Sequence, residues 1–310
     1  MVKIGNSDLD VYPLNLGGNV FGWTADEEQS FAVLDAYAAA GGNFIDTADV
    51  YMARAAGNSG GESETIIGKW LARRGRRDDI VIATKVGSWD RHPGLSAKNI
   101  QAAAEDSLRR LQTDHIDLYY AHRDFTDAPL EETLGAFDEL VRAGKVRYIA
   151  ASNYSAERLA EALSISDREG FARYVALQPH YNLVERDYET ELAPLVEKEG
   201  LSTLPYFALA KGFLTGKYRT REANAGSVRA EGAVAYLDDR GERVLAALDE
   251  IAAAHGSSPA AVSLAWLAAR PTVAAPIASA RTLEQLTDLL ASVELQLTES
   301  EIAALDTASA

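Results

Sequence analysis

The sequence contains no cysteine, and this absence removes several classes of protein at once. Without thiols the chain cannot form a disulfide scaffold, attack a substrate with a thiolate or bind a metal through sulfur. A tight cluster of histidines and carboxylates is missing as well, so the sequence predicts no transition-metal site. Any catalytic chemistry therefore has to come from hydroxyl, amine, imidazole or carboxylate groups.

Long apolar runs and basic residues are also scarce. No run approaches the roughly 18 apolar residues of a membrane span, and the first eight residues lack the apolar stretch of a signal peptide. Lys and Arg number 30 against 46 Asp and Glu, which gives a net charge of −16. Surfaces that bind nucleic acid or anionic lipid are basic, so this charge argues against both partners. We expect a soluble, cytoplasmic protein.

Short β-branched runs alternate with longer amphipathic stretches along the 310 residues. The strand-like runs are 14–17, 43–46, 80–85, 116–122, 146–152, 174–178, 202–206 and 273–277. The helical stretches between them include 27–40, 64–73, 97–111, 130–143, 156–165, 187–199 and 241–254. Ser96 and Ser155 stand where helix N-caps are expected.

Eight strands separated by helices favour a closed barrel over an open doubly wound sheet. The first strand is followed by glycines 17, 18 and 22, whose spacing is not the G-x-G-x-x-G of a dinucleotide-binding open sheet. The length alone allows one domain or two. We therefore predict a single α/β domain over residues 1–310, a (β/α)8 TIM barrel with an N-terminal β-hairpin within 2–13.

Active sites of such barrels lie at the carboxyl ends of the strands, and polar side chains stand at these positions here. Asp46 ends the second predicted strand, Tyr51 follows it, Lys85 ends the third and His122 ends the fourth. Each of these has an ordinary structural explanation when taken alone. Their occurrence at consecutive strand ends indicates a shared site.

This combination is typical of proton donation by a phenol. A free tyrosine has a pKa of about 10, which is too high for an efficient acid near neutrality. An ammonium group nearby lowers that pKa, and a buried ammonium needs a carboxylate partner to stay charged. We therefore expect Asp46 to hold Lys85, Lys85 to lower the pKa of Tyr51, and His122 to hydrogen-bond the substrate oxygen.

A connection of more than thirty residues follows the seventh predicted strand. Loops of this length are usually functional or disordered. It contains Lys211, Lys217, Arg219, Arg221 and Arg229, a basic group within an acidic protein. The pattern indicates an anion site, and a solvated mobile loop is the alternative.

Several segments resemble the signature of the aldo-keto reductase family. They are FIDTADVY at 44–51, GESE at 61–64, ATK at 83–85, DLYYAH at 117–122, ASNY at 151–154, QPHYN at 178–182 and LAKGFLTGKY at 209–218. They follow the family's order and cover nearly the whole chain. The resemblance implies NADPH-dependent reduction of an aldehyde or ketone, and the reverse oxidation of an alcohol. It implies Tyr51 as the general acid, Lys85 and Asp46 as its tuning pair, and His122 as the orienting group.

The resemblance also implies where NADP(H) binds. The nicotinamide half would contact Gly18, Asn19, Ser152, Asn153, Gln178 and Tyr206. The pyrophosphate would lie along Phe207, Leu209, Lys211, Gly212, Lys217 and Arg229, although many members have serine where Phe207 stands. The 2′-phosphate end would lie near Ser279, Arg281, Gln285 and Asp288, and Arg281 is the main reason to expect NADP and not NAD.

The substrate is a small carbonyl compound or alcohol whose identity the sequence does not give. Phe21, Trp23 and Trp89 are expected to line its pocket. Two alternatives remain open. One is a nicotinamide-binding regulatory subunit like the potassium-channel β subunits of the family, which tend to differ at the position of His122. The other is a barrel enzyme of different chemistry, such as a lyase. The oligomeric state is not predicted.

Overall fold

The computed structural model describes residues 1–220 and 230–310. Eight parallel strands form its main sheet. They are β1 (Asn15–Gly17), β2 (Phe44–Asp46), β3 (Val81–Val86), β4 (Ile116–Ala121), β5 (Val146–Ser152), β6 (Tyr174–Gln178), β7 (Ser202–Thr203) and β8 (Ile277–Ala278).

The strands are paired in chain order, and β8 returns to pair with β1. The segment leading into β8 closes the ring on β7: Val273 bridges Thr203, and the Ala274 N–H donates to the Thr203 carbonyl at 3.0 Å. Each strand therefore has a neighbour on both sides, and no edge is left exposed. The predicted (β/α)8 barrel is confirmed.

The last two strands are shorter than the predicted runs 202–206 and 273–277. Pro205 and Pro276 have no N–H to give to the ladder, so regular pairing stops beside them. Their carbonyl groups still take part in closing the barrel. The Pro205 carbonyl accepts from the Ile277 N–H at 2.9 Å, and the Pro276 carbonyl accepts from the Asn15 N–H at 2.9 Å.

Two antiparallel hairpins accompany the barrel. Val2–Lys3 pairs with Asp10–Val11, which confirms the predicted N-terminal hairpin, and its side chains Ile4, Leu9 and Val11 are buried in the lower core of the barrel. Ser88–Trp89 pairs with His92–Pro93 in a second hairpin after β3. The sequence did not predict this one, because two-residue strands show no alternation and the turn has no glycine.

Eleven α-helices lie in the described ranges. They are α1 (Glu27–Ala39), α2 (Glu62–Arg74), α3 (Ala97–Leu111), α4 (Leu130–Arg142), α5 (Ala156–Glu169), α6 (Leu192–Lys198), α7 (Ala230–Val234), α8 (Asp239–His255), α9 (Pro259–Ala268), α10 (Leu283–Glu294) and α11 (Glu299–Ser309). Ser96 and Ser155 accept from the backbone N–H groups of Asn99 and Arg158, so both predicted N-caps are confirmed.

One predicted helix is divided. The stretch 187–199 becomes a 3-10 turn, Asp187–Glu189, followed by α6. Pro194 is the reason, because a proline is accommodated only in the first turn of a helix, where its missing N–H has no intrahelical acceptor. Helix α9 was not predicted from the sequence. Its side chains are buried on nearly all faces, so they give no amphipathic pattern.

Helices α2 and α3 approach each other closely at Gly68. A Cβ added there would overlap the Arg110 carbonyl oxygen and the backbone of Leu111. Gly135 of α4 offers a contrast, since the nearest atom to an added Cβ is Phe171 Cζ at 3.6 Å. Gly68 is therefore required by packing, whereas Gly135 is not.

We predict opposite effects of alanine at these two helical positions. Gly68→Ala should lower the free energy of unfolding by about 1 to 3 kcal/mol, because the helices must move apart. Gly135→Ala should raise it by about 0.5 to 1 kcal/mol through its gain in helix propensity. Urea denaturation of both variants measures the difference. Equal effects would contradict the close packing of α2 on α3.

Candidate active site

The polar residues predicted to converge do lie together at the carboxyl end of the barrel. Asp46 is the last residue of β2, Lys85 lies one residue from the end of β3, and His122 follows β4. Tyr51 lies on the loop after β2. Parallel strands of a barrel present their carboxyl ends at one mouth, which explains the convergence of residues so distant in sequence.

The ammonium group of Lys85 is the centre of the hydrogen bonds. It donates to Asp46 Oδ2 at 2.6 Å, to the Thr47 carbonyl at 2.7 Å and to Tyr51 Oη at 2.9 Å. The Tyr51 hydroxyl in turn donates to Asp46 Oδ2 at 3.0 Å. The phenol therefore lies between an ammonium donor and a carboxylate acceptor.

Lys85 and Asp46 form a fully buried ion pair. Their side chains expose 0% and 1% of their surface. Burial lowers the pKa of Lys85, and the adjacent carboxylate of Asp46 opposes this shift. A lone buried ammonium would lose its proton, so Asp46 preserves the charge, as expected from the sequence.

The pKa of Tyr51 is shifted in the direction opposite to the expected one. Burial raises it well above 10, and the negative charge of Asp46 raises it further. A phenol that donates to a carboxylate is favoured in its neutral form, and these two effects outweigh Lys85. Both effects therefore favour the protonated form of the Tyr51 hydroxyl.

The His122 ring stands beside this phenol. Its centroid is 6.2 Å from that of Tyr51, at an interplanar angle of 72°. Burial lowers the pKa of His122 well below 6.5, and the positive charges of Lys85 and Arg123 act in the same direction. Its Nδ1 is buried and has no hydrogen-bond partner among the described residues. The lowered pKa favours a neutral imidazole beside the Tyr51 ring.

The residues predicted to hold a nicotinamide form one wall of this mouth. Tyr206 donates its hydroxyl to Asn153 Oδ1 at 2.7 Å, and its ring stacks on His180 with centroids 5.3 Å apart. The Asn153 amide donates to Ser152 Oγ and to the His122 carbonyl, both at 3.0 Å. The wall and the phenol site are thus linked through His122.

Gln178 joins the wall to the ion pair. Its Nε2 donates to Asp46 Oδ1 at 2.8 Å, so the amide expected to face the cofactor also binds the carboxylate. The sequence did not reveal this contact. The only hint was that both residues end barrel strands.

Two further buried acids, Glu64 and Asp49, were not identified as site residues from the sequence. Glu64 is fully buried and accepts from Thr84 Oγ1 and from Arg110 Nε, both at 2.6 Å. Asp49 is buried beside it, and burial together with the charge of Glu64 raises the pKa of Asp49 well above its ordinary value. The signal was available, since both acids lie in the segments 44–51 and 61–64.

The residues at the start of the barrel are held close to the ion pair. The Gly18 N–H donates to the Asp46 carbonyl at 2.7 Å, and a Cβ on Gly18 would meet Ser63 Oγ at 2.8 Å. Asn19 Oδ1 accepts from the Ser279 hydroxyl at 2.6 Å. These contacts bring the loop after β1 against the segment after β8.

The predicted 2′-phosphate residues lie at the start of α10. Thr282 caps this helix, and the side chain of Gln285 accepts from the Arg281 backbone N–H at 3.0 Å. The Arg281 guanidinium is half-buried and forms no ion pair with a described residue, and Asp288 is exposed on the helix. The N-terminus of a capped helix with a nearby guanidinium is suited to an anion.

The loop after β7 adopts an unusual backbone. Phe207, Ala210 and Lys211 have φ angles of 50°, 47° and 59°, in the left-handed region, and Gly212 follows with 97°. Each such non-glycine residue costs roughly 1 to 2 kcal/mol, and clusters of this kind are typical of functional loops. Leu209 is half-buried, Lys211 and Lys217 are exposed, and Arg229 lies outside the described residues.

The three residues expected to contact the substrate differ in exposure. Phe21 is fully buried and Trp89 is 5% exposed, with its indole N–H donated to the Ser59 carbonyl at 3.1 Å. Trp23 is half-buried. Trp23 is therefore the most exposed of the three side chains.

Comparison with known proteins agrees with this geometry. The sequence model of the Aldo/keto reductase family matches residues 13–310. The chain belongs to the aldo/keto reductase family. This membership accounts for the barrel and for the segments that resemble the family signature, and it makes the protein an oxidoreductase of a family that uses nicotinamide cofactors.

Three relatives illustrate the range of the family. "Protein tas" of Escherichia coli (strain K12) is 35% identical, with 98% of this chain and 96% of the relative aligned. "Uncharacterized oxidoreductase YrpG" of Bacillus subtilis (strain 168) is 37% identical over 95% of this chain and 91% of the relative. "Norsolorinic acid reductase B" of Aspergillus parasiticus is 32% identical over 97% and 82%.

The described residues contain no group of three or more His, Cys, Asp or Glu side chains arranged to hold a metal ion. Within the same ranges, no helix is both long enough and apolar enough to span a membrane.

The lowered pKa of His122 predicts a specific dependence of stability on pH. Below pH 6.5 the unfolded chain binds a proton at this histidine that the folded protein resists. As the pH falls below 6.5, the free energy of unfolding of the wild type should therefore decrease relative to that of His122→Gln. The decrease should be at most about 1.4 kcal/mol per pH unit. Urea denaturation of both proteins at pH 7, 6 and 5 tests this. Parallel curves would show that His122 titrates normally.

Proposed function

We propose that this protein is an NADPH-dependent reductase of aldehydes or ketones, with reversible oxidation of the alcohol. The observation that carries the proposal is the buried Lys85–Asp46 pair hydrogen-bonded to the Tyr51 hydroxyl. Neutral His122 beside that hydroxyl completes a site for a carbonyl oxygen. We further propose that residues 1–310 act as one catalytic domain.

The residues of the chain divide the reaction as follows. The nicotinamide would supply the hydride to the carbonyl carbon. Tyr51 Oη then donates its proton to the developing alkoxide oxygen, since the raised pKa keeps this proton in place until that charge appears. His122 donates a hydrogen bond to the same oxygen and fixes its position. Lys85, 2.9 Å from Tyr51 Oη, stabilises the phenolate that remains.

The residues present fit a dinucleotide cofactor. The left-handed backbone from Phe207 to Gly212 and the exposed ammonium groups of Lys211 and Lys217 provide donors and positive charge for a pyrophosphate. Tyr206 offers an aromatic ring beside the phenol site, with Ser152, Asn153 and Gln178 next to it. Arg281 at the start of α10 supports NADPH over NADH, because a guanidinium binds a phosphate monoester well.

The names of the relatives support the direction of the reaction. Several are named norsolorinic acid reductases, and one is named as an oxidoreductase. Reduction of a carbonyl group is the chemistry that the Tyr51 site performs under this proposal. The substrate of this chain is not transferred from those names.

We predict that Tyr51→Phe lowers kcat for carbonyl reduction by roughly 100-fold or more, because the proton donor is lost. The Kd for NADPH, measured by the quenching of tryptophan fluorescence, should stay within twofold of the wild-type value. Tyr119→Phe is the matched control and should retain activity, since its buried hydroxyl has no hydrogen-bond partner among the described residues and its ring packs on Phe137 of α4. Full activity of Tyr51→Phe would refute the assigned role.

We predict that Arg281→Gln raises the KM for NADPH by about 10- to 100-fold, the loss expected for a charged hydrogen bond. The KM for NADH, which has no 2′-phosphate, should change little and serves as the internal control. Steady-state kinetics with both cofactors and one aldehyde give the comparison. If both KM values rise together, Arg281 does not read the 2′-phosphate.

A further inference from the structure

Three of the described arginines have guanidinium groups that form no hydrogen bond, ion pair or ring contact with another described residue. They are Arg54, Arg123 and Arg281. All three follow the carboxyl ends of barrel strands, whereas arginines at the other end, such as Arg77, are paired with buried carboxylates. Among the described residues, the arginines without a partner for the guanidinium thus follow the carboxyl ends of barrel strands. Arg281 is assigned above to a phosphate, and Arg123 has no role so far.

Arg123 lines a groove beside His122. The groove has a volume of about 530 Å3 and lies between the Ser88–Trp89 hairpin and the loop after β4. Trp89 and Phe125 form its apolar walls. Arg123 directly follows His122 in the chain, and its positive charge is close enough to help lower the pKa of His122 and to lower that of Tyr206 against the effect of burial. The guanidinium that lines the groove therefore lies near the site of Tyr51 and His122.

The acidic residues nearest to Arg123 in the chain are occupied by other partners. Asp124 accepts from Arg158 Nε at 2.9 Å and from Arg158 Nη2 at 3.1 Å. Both carboxylate oxygens of Asp127 lie 3.2 Å from the Leu95 N–H, which fixes the hairpin against this loop.

Two acids line the groove, Asp90 at the hairpin turn and Asp127, and both are exposed. Water screens the charge of such a group strongly. Arg123 is therefore the cation available to a ligand in this groove, and its planar fork matches a carboxylate.

We propose that the groove binds an acidic substituent of the substrate, and that Arg123 selects carbonyl compounds carrying a carboxylate remote from the reacting carbonyl. This inference rests on the proposed reductase function and specifies its substrate class. The carbonyl oxygen would lie at Tyr51 and His122. The carboxylate would receive paired N–H donors from Arg123, and an aromatic or aliphatic spacer would lie between Trp89 and Phe125.

The first experiment compares 4-carboxybenzaldehyde with its methyl ester, which differs in charge but not in the reacting group. Wild-type kcat/KM should favour the acid, and Arg123→Gln should reduce this preference by about 10- to 100-fold, the range for a charge-assisted hydrogen bond. Activity on the ester should change less than threefold. Arg123→Lys should restore part of the preference, because it keeps the charge without the fork.

Arg54→Gln is the matched control. It removes the same charge from the same mouth, and Arg54 does not line the groove. This variant should keep the preference of the wild type. An equal loss in Arg54→Gln and Arg123→Gln would indicate general attraction of anions and would overturn a specific site. A wild type that does not distinguish the acid from the ester would overturn it too.

A binding measurement separates failure of the site from failure of the reductase function. Terephthalate, which has no reducible carbonyl, should raise the Tm of the wild type and of Arg54→Gln but not of Arg123→Gln. If no carbonyl compound is reduced with NADPH and these shifts still appear, the reductase function is wrong and the anion site stands. If terephthalate shifts Arg123→Gln as much as wild type, Arg123 does not form the site.

Discussion

The buried ion pair between Lys85 and Asp46 is the constraint on which the rest of the site depends. Lys85 exposes none of its side chain, and an uncompensated charge at such a position costs several kcal/mol. The lysine therefore keeps its charge only while Asp46 is held in place. Asp46 also accepts from Tyr51 and from Gln178, so one carboxylate fixes the proton donor and the opposite wall together. A change at Asp46 would be felt at every other group.

The barrel and the four polar residues could be predicted because both follow from the order of elements along the chain. Strand ends converge whatever their separation, so Asp46, Lys85 and His122 were placed correctly without any contact being known. What depends on side-chain direction could not be predicted in this way. The bond from Gln178 to Asp46 joins residues 132 positions apart. The raised pKa of Tyr51 depends on burial and on which neighbour accepts its hydrogen bond.

The errors in secondary structure have equally local causes. The stretch 187–199 does contain helical structure, but Pro194 prevents one continuous helix, and a 3-10 turn precedes α6. Pro205 and Pro276 shortened the last two strands while their carbonyl groups helped to close the ring. Helix α9 gave no pattern, because a helix buried on most faces is apolar all round. The prolines behind the first two errors lie within the predicted segments and were given too little weight, whereas the burial of α9 depends on its neighbours in the fold, which its own sequence does not contain.

The backbone from Phe207 to Gly212 has a consequence for the affinity that this loop would have for the pyrophosphate under the proposed function. Phe207, Ala210 and Lys211 adopt left-handed conformations although none of them is glycine, so folding bears the conformational cost of shaping this loop. A ligand that binds such a prearranged segment loses less of its binding free energy to ordering the chain. Under the proposed function, the left-handed residues of this loop therefore lower the stability of the fold and raise the affinity for the anion.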